Sequence, residues 1–265
     1  METMKLTEER IKKYLLENKR IDARSPGEFR EMTIETGVSK NAEGSARVKI
    51  GKTEVLVGVK MDVSEPYPDS PGKGNLMVTV ELLPLSSPDF ESGPPRFPAI
   101  ELGRVIDRGI RESKVIELEK LCIREKEKVW TVFIDIYSIN DDGNLLDAAG
   151  IGALAALKTA RIPKYDEKEE KVIYGELTDK KIPMSKELPI SITAHKLGKK
   201  FIVDPTKEEE KISEARLTAA SSDGTVFSMQ KGEMKEIKVE EFYEALELIR
   251  KTEREIFKKL EKFVK

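Results

Sequence analysis

Residues 130–160 read WTVFIDIYSINDDGNLLDAAGIGALAALKTA, and this stretch decides the fold. The first ten residues alternate in polarity and are rich in β-branched and aromatic side chains, which predicts a well-buried strand. Turn residues follow, and Asn144 can cap the next helix with Asp147 as a short capping box. No charged residue then occurs before Lys158. A helix this small and this apolar must be buried on nearly all sides, so we expect the other elements to pack around it.

The other elements of the first half are predicted mainly as strands. Thr7 can cap a helix that ends near Asn18, and residues 19–30 read as an irregular connector. Two loops rich in proline, at residues 64–75 and 84–98, are long enough to indicate a function or an interface. The predicted strands are residues 32–38, 45–50, 53–63 and 76–83, and they are followed by a helix at 100–113 and a second helical piece up to Cys122.

The second half repeats the order of strands first and helices later. A polar stretch at residues 163–175 indicates a linker or a domain boundary. Strands are predicted at residues 172–174, 188–195 and 200–203, followed by a hairpin around Asp223–Gly224 and a long amphipathic helix at 239–264. We therefore predict an α+β fold of two similar domains side by side, residues 1–163 and 164–265.

The composition restricts the kinds of partner and the compartment. The 47 Lys and Arg residues nearly cancel the 49 Asp and Glu residues, so any nucleic-acid site must come from local clustering of charge. Heavy use of Lys and Glu suits a heat-adapted protein, with a merely soluble surface as the alternative. The single cysteine, Cys122, excludes an internal disulfide and fits a reducing cytosol. No uncharged run approaches the ~20 residues of a membrane span, so we expect a soluble cytoplasmic protein without membrane contact.

The helix predicted at residues 100–113 carries three arginines on one exposed arc. They are Arg104, Arg108 and Arg111, at positions i, i+4 and i+7. Together with Arg96 in the preceding loop, they could bind successive phosphates. Glu101 and Asp107 stand at ion-pairing spacing from these arginines, so a solvated face of weak ion pairs is the alternative and is favoured on spacing alone.

Two further candidates give weaker signals. His195, the only histidine, is interpreted as a satisfied strand residue rather than a catalytic one. Residues 204–211 read as an acidic loop or a short helix. The run at 204–210 (DPTKEEE) could hold a divalent cation through carboxylate oxygens, but a solvated acidic loop is favoured. No cofactor is predicted.

Several stretches resemble the RNase PH family. They are KRIDARSPGEFR at residues 19–30, GSARVKIGKTEVLVGVK at 44–60, FPAIELGRVIDRGIRES at 97–113, DPTKEEE at 204–210 and the strand-turn-helix quoted above. Within that family they are most similar to the non-catalytic ring subunits of the archaeal exosome. The resemblance implies two βαβ-type domains packed as a pseudo-repeat, the first like domain 2 of ribosomal protein S5 and the second like the second domain of RNase PH.

The resemblance also implies that catalysis is lost. Active members of the family cleave RNA from the 3′ end with inorganic phosphate, which they hold at the N-terminus of the central helix with amides and a hydroxyl. This sequence has Gly143, Asn144, Leu145 and Leu146 there, directly after Asp141 and Asp142. Leucine side chains donate no hydrogen bond, and the two carboxylates repel phosphate.

Two other features of active members are also altered. Paired arginines precede the Ile-Glu-Leu of the earlier helix in active members, where this chain has Phe97 and Pro98. Two catalytic aspartates six residues apart are kept only as Asp204 and Glu210. We therefore expect a catalytically silent chain.

The partners are those implied by the resemblance. Such subunits alternate with an active RNase PH-like subunit in a three-plus-three hexameric ring, below RNA-binding cap subunits. Arg104, Arg108, Arg111 and Arg96 would then contact the phosphates of single-stranded RNA at the shared interface. An active phosphate-dependent 3′–5′ exoribonuclease and an interaction scaffold without RNA contact are the alternatives.

Overall fold

The computed structural model describes residues 2–263, which form five α-helices and twelve strands. The helices are α1 (Glu2–Leu16), α2 (Phe97–Glu112), α3 (Leu145–Thr159), α4 (Lys207–Lys211) and α5 (Val239–Phe263), with a 3₁₀ turn at Leu118–Leu121. The first strands are β1 (Met32–Thr36), β2 (Gly44–Ile50), β3 (Thr53–Ser64), β4 (Asn75–Glu81), β5 (Cys122–Arg124) and β6 (Lys128–Asn140). The later strands are β7 (Arg161–Asp166), β8 (Lys171–Lys181), β9 (Ile190–Leu197), β10 (Lys200–Val203), β11 (Ala215–Ser222) and β12 (Thr225–Gly232). The predicted α+β class is confirmed.

The first sheet is built around β6, which contains the buried strand predicted from Trp130 onward. Its order is β1-β2-β3-β6-β4, with β5 also paired to β6. Strand β3 runs antiparallel to β6 and β4 runs parallel to it. Helix α2 covers β4, and α3 lies across β2 and β3.

Helix α3 is a core helix, as predicted, and it contacts both sheets. Every residue from Leu145 to Leu157 is buried. The second sheet has the order β10-β9-β11-β12, and α3 also contacts its strand β9, which α5 covers as well. One continuous hydrophobic cluster therefore includes side chains of both sheets. The domain division between residues 163 and 164 stays a prediction.

Three sequence predictions differ from the structure. The polar stretch at residues 163–175 is not an irregular linker, because β7 and β8 pair there as a ribbon whose second strand is exposed along most of its length. A ribbon with so much solvent contact has the same polar composition as a linker. Thr7 lies inside α1 rather than before it. The helical piece up to Cys122 is only a 3₁₀ turn, and Cys122 begins β5.

Two other predictions concern the ends of helices and membrane contact. The predicted end of the last helix, Val264, lies outside the described residues. Within residues 2–263, no helix has both the length and the apolar character needed to span a bilayer.

The close approach of α3 to β2 depends on Gly44. A Cβ atom at this position would lie 2.4 Å from the carbonyl oxygen of Ala156 and 2.6 Å from the Cβ of Ala160. We expect Gly44→Ala to lower the free energy of unfolding by about 2 kcal/mol, because the helix must move away from the sheet. The matched control is Gly58→Ala in β3, where the nearest atom is 3.8 Å away. Denaturant unfolding curves measure both variants, and equal midpoints would contradict the close approach.

Candidate functional site

The N-terminus of α3 is occupied by the chain's own carboxylates. The amide of Gly143 donates to Oδ1 of Asp141 at 3.1 Å, and the amide of Asn144 donates to Oε1 of Glu210 at 3.4 Å. The amides and the dipole at a helix N-terminus favour an anion in this position. Here two side chains of the protein supply the anion.

The space in front of this helix end is a cavity of about 250 Å³. Its lining includes the side chains of Leu145, Leu146, Asp141, Glu210 and Lys207. Asp141 forms an ion pair with Lys207, so the charge of this lysine is already neutralised. Burial and the neighbouring charge of Asp141 raise the pKa of Glu210. The other cation of the lining, Arg216, is paired with Glu101. A phosphate dianion entering this cavity would therefore meet apolar side chains, carboxylates and two cations that carboxylates already neutralise.

Asp204, one of the two retained acids, is a fully buried structural residue. Its Oδ2 accepts hydrogen bonds from the Arg30 amide at 2.8 Å, from Arg30 Nε at 2.9 Å and from Arg24 Nη1 at 2.8 Å. Its Oδ1 accepts from Arg30 Nη2 at 2.7 Å and from Asn144 Nδ2 at 2.9 Å. Burial acts to raise the pKa of Asp204, but the hydrogen bonds and charge of Arg30 outweigh it and lower that pKa. Both oxygens are therefore held by the protein itself.

A second buried ion pair lies beside the first. Arg20 Nε donates to Oε1 of Glu209 at 2.9 Å, and Nη2 of the same guanidinium donates to Oε2. Arg20 also donates to the carbonyl oxygens of Val203 at 3.0 Å and Asp204 at 2.8 Å. The connector at residues 19–30 is thus fixed by its arginines, a role that the sequence analysis did not assign to them.

The acidic run does not form one ligand set. Asp204 and Glu209 each bind arginines, whereas Glu210 lies at the end of α3. Glu209 also completes a capping box with Thr206 at the start of α4, so the second part of the run is a short helix. The favoured solvated loop is wrong, because Asp204 and Glu209 are buried. Among residues 2–263, no group of three or more His, Cys, Asp or Glu side chains is placed to hold a metal ion.

We call Arg104, Arg108 and Arg111 of α2, together with Arg96 directly before it, the arginine face. Among the described residues, two of these four arginines have partners and two are exposed without one. Within the described part of the chain, neither Arg104 nor Arg108 has a salt bridge or a side-chain hydrogen bond. Arg111 donates to Asp107 at 2.7 and 3.0 Å and to the carbonyl oxygen of Leu76 at 3.1 Å. Arg96 forms an ion pair with Glu91 at 2.5 Å. Of the ion pairs expected along the helix, the structure therefore has only the pair of Arg111 with Asp107, while Arg96 has a partner in its own loop.

Comparison with known proteins assigns the family. Residues 28–163 match domain 1 of the 3′ exoribonuclease family, and residues 187–251 match its domain 2. The chain belongs to the RNase PH family of 3′ exoribonucleases. The resemblance drawn from the sequence is confirmed.

Proteins and solved structures similar to this family member include exosome components. A protein of Thermococcus gammatolerans named exosome complex component Rrp42 is 48% identical over 240 residues, which cover 90% of this chain and 88% of the relative. Its namesake in Pyrococcus furiosus is 48% identical over 248 residues, which cover 92% and 88%. A solved chain described as Archaeoglobus fulgidus exosome with RNA bound to the active site has a TM-score of 0.89 and 42% identity, with 98% of this chain and 99% of that chain covered.

His195 has the environment of a satisfied core residue, as predicted. It is buried, and its Nδ1 lies 3.1 Å from the Ser213 hydroxyl. Burial lowers the pKa of His195 to about 3, so the imidazole is neutral at physiological pH.

The capping box predicted for α3 is wrong in its bonds, although Asn144 does stand at the cap position. Asn144 adopts a left-handed conformation and makes no side-chain capping bond, since its amide group turns to Asp204. Asp147 turns to the second sheet, where it accepts from the Thr193 hydroxyl at 2.7 Å and the Thr193 amide at 3.2 Å. Tertiary partners have replaced the local bonds that the spacing suggested.

The buried carboxyl of Asp147 should make stability depend on pH. Burial raises the pKa of Asp147 from 3.8 to about 8. Between these values the unfolded chain has released the proton that the folded chain keeps, so this group's contribution to stability falls as pH rises. We expect Asp147→Asn to gain stability relative to the parent protein between pH 5 and pH 8, as measured by denaturant unfolding. A stability difference that is the same at both pH values would contradict the assignment.

Proposed function

We propose that this chain is a catalytically silent subunit of an exosome-type 3′–5′ exoribonuclease ring in the cytoplasm. In this proposal it alternates with an active RNase PH-like partner in a three-plus-three hexamer, below RNA-binding cap subunits. Family membership and the similarity to proteins named Rrp42 support this assembly. The proposed lack of catalytic activity rests on one observation, the placement of Asp141 and Glu210 at the end of α3.

The silence follows from electrostatics at this helix end. Phosphorolysis needs a phosphate whose oxygens accept hydrogen bonds from the helix amides. The amides of Gly143 and Asn144, directly before the first turn of α3, already donate to carboxylates, and like charges in a partly buried cavity repel strongly. Asp204, the other retained acid, is held by arginines and is not free to act in catalysis. The alternative of an active exoribonuclease requires an anion at this helix end, where two carboxylates of the chain already lie.

We propose that Arg104 and Arg108 supply the RNA contact. Both are exposed, lie one turn apart on the same arc of α2 and have no anionic partner within residues 2–263. Contacts of guanidinium groups with phosphates are independent of sequence and suit the backbone of single-stranded RNA that reacts on the neighbouring subunit. Arg111 and Arg96 lie at the ends of this surface. Each must break its ion pair with a carboxylate before it can bind a phosphate.

The RNA contact is tested by removing charge in the assembled ring. We expect Arg104→Ala and Arg108→Ala each to weaken binding of single-stranded RNA and to reduce the slope of log affinity against log salt by about 0.7. The matched control is Arg124→Ala, an exposed arginine of β5 that pairs with Glu127 at 2.9 Å. Unchanged affinity and unchanged salt slope in both variants would leave the scaffold without RNA contact as the function.

A further inference from the structure

Glu101 is placed on α2 where it could form an ion pair with Arg104, but its side chain turns away from that arginine. Glu101 precedes Arg104 by three residues, a spacing at which helical side chains form ion pairs. Instead, Arg216 Nη2 of β11 donates to Oε2 of Glu101, and Gln230 Nε2 of β12 donates to its Oε1 at 2.8 Å. Both carboxylate oxygens are thus held by the second sheet.

The holding residues are themselves fixed. The side chains of Glu101 and Arg216 are only 15% and 19% exposed, so their ion pair is shielded from solvent. A Cβ atom at position 232 would lie 2.2 Å from Nε of Arg216, so Gly232 leaves the space that this guanidinium occupies. Since β11 and β12 are neighbours, Arg216 and Gln230 approach Glu101 from one sheet.

Asp107, on the same helix, shows how an acidic side chain pairs when the second sheet does not hold it. Among residues 2–263, Asp107 has no partner from the second sheet, and it forms a bidentate pair with Arg111 on its own helix. A comparable pair between Glu101 and Arg104 would remove half of the cations that are free on this face.

We propose that Arg216 and Gln230 are positioning residues for RNA binding. They hold Glu101 away from Arg104 and thereby leave the charge of Arg104 available to an RNA phosphate. This inference rests on the proposed function of the arginine face. It gives the second half of the chain a direct influence on a surface that belongs to the first.

The test uses the assembled ring, single-stranded RNA and a rescue variant. We expect Arg216→Met to weaken RNA binding several-fold and to reduce the salt slope by about 0.7, because Glu101 then turns to Arg104. Gln230→Met should have the same effect to a smaller degree, since Arg216 still holds one carboxylate oxygen. Adding Glu101→Gln to either variant should restore the parent affinity and slope, because the acid that neutralises Arg104 is gone.

The rescue separates positioning from a merely structural role. If Arg216→Met weakens RNA binding only by disturbing the fold, Glu101→Gln will not restore the affinity, and the inference is wrong. If neither Arg216→Met nor Gln230→Met changes RNA binding while Arg104→Ala does, the inference also fails but the proposed RNA contact stands. If Arg104→Ala and Arg108→Ala have no effect, the RNA contact itself fails. Thermal unfolding of each ring shows whether a variant has lost assembly.

Discussion

The structure depends on the neutralisation of a carboxylate that is completely buried. Asp204 is stabilised as an anion only because Arg30 and Arg24 surround it, and removing one partner of such a pair typically costs several kcal/mol. Arg30 also donates to the carbonyl oxygens of Asp142 at 2.8 Å and Gly143 at 3.0 Å. One guanidinium therefore joins the N-terminal connector, the turn before α3 and the segment after β10. These segments are far apart in the chain, and this ion network fixes them relative to one another.

As a consequence, helices α3 and α2 present different chemical groups. The turn that Arg30 holds is held again by Thr53, whose hydroxyl donates to the Gly143 carbonyl at 2.6 Å. In this conformation the end of α3 faces Glu210, which accepts a hydrogen bond from the amide of Asn144. The face of α2 remains open, with Arg104 and Arg108 exposed. The molecule thus combines carboxylates at the end of α3 with exposed arginines on α2.

The parts of this account that the sequence could predict are those encoded in local patterns. The composition of residues 145–157 is enough to indicate a buried helix, and a 3.6-residue period places the arginines of α2 on one arc. The sequence could not show which charges meet, because Arg30 and Asp204 are 174 residues apart and Glu101 and Arg216 are 115 apart. Polar composition also failed to separate the exposed ribbon of β7 and β8 from a linker, since both present polar side chains to water. The sequence also could not show that the side chain of Asn144 binds Asp204, which is distant in the chain, instead of capping α3.

The central claim is that carboxylates of the chain itself occupy the phosphate position at the N-terminus of α3. The most direct measurement is a calorimetric titration of the isolated chain with inorganic phosphate, combined with an assay for release of nucleoside diphosphates from RNA. An active RNase PH-type enzyme serves as the positive control. We predict neither binding of phosphate nor turnover by this chain. Phosphate bound by the amides of residues 143–146, together with turnover, would contradict it.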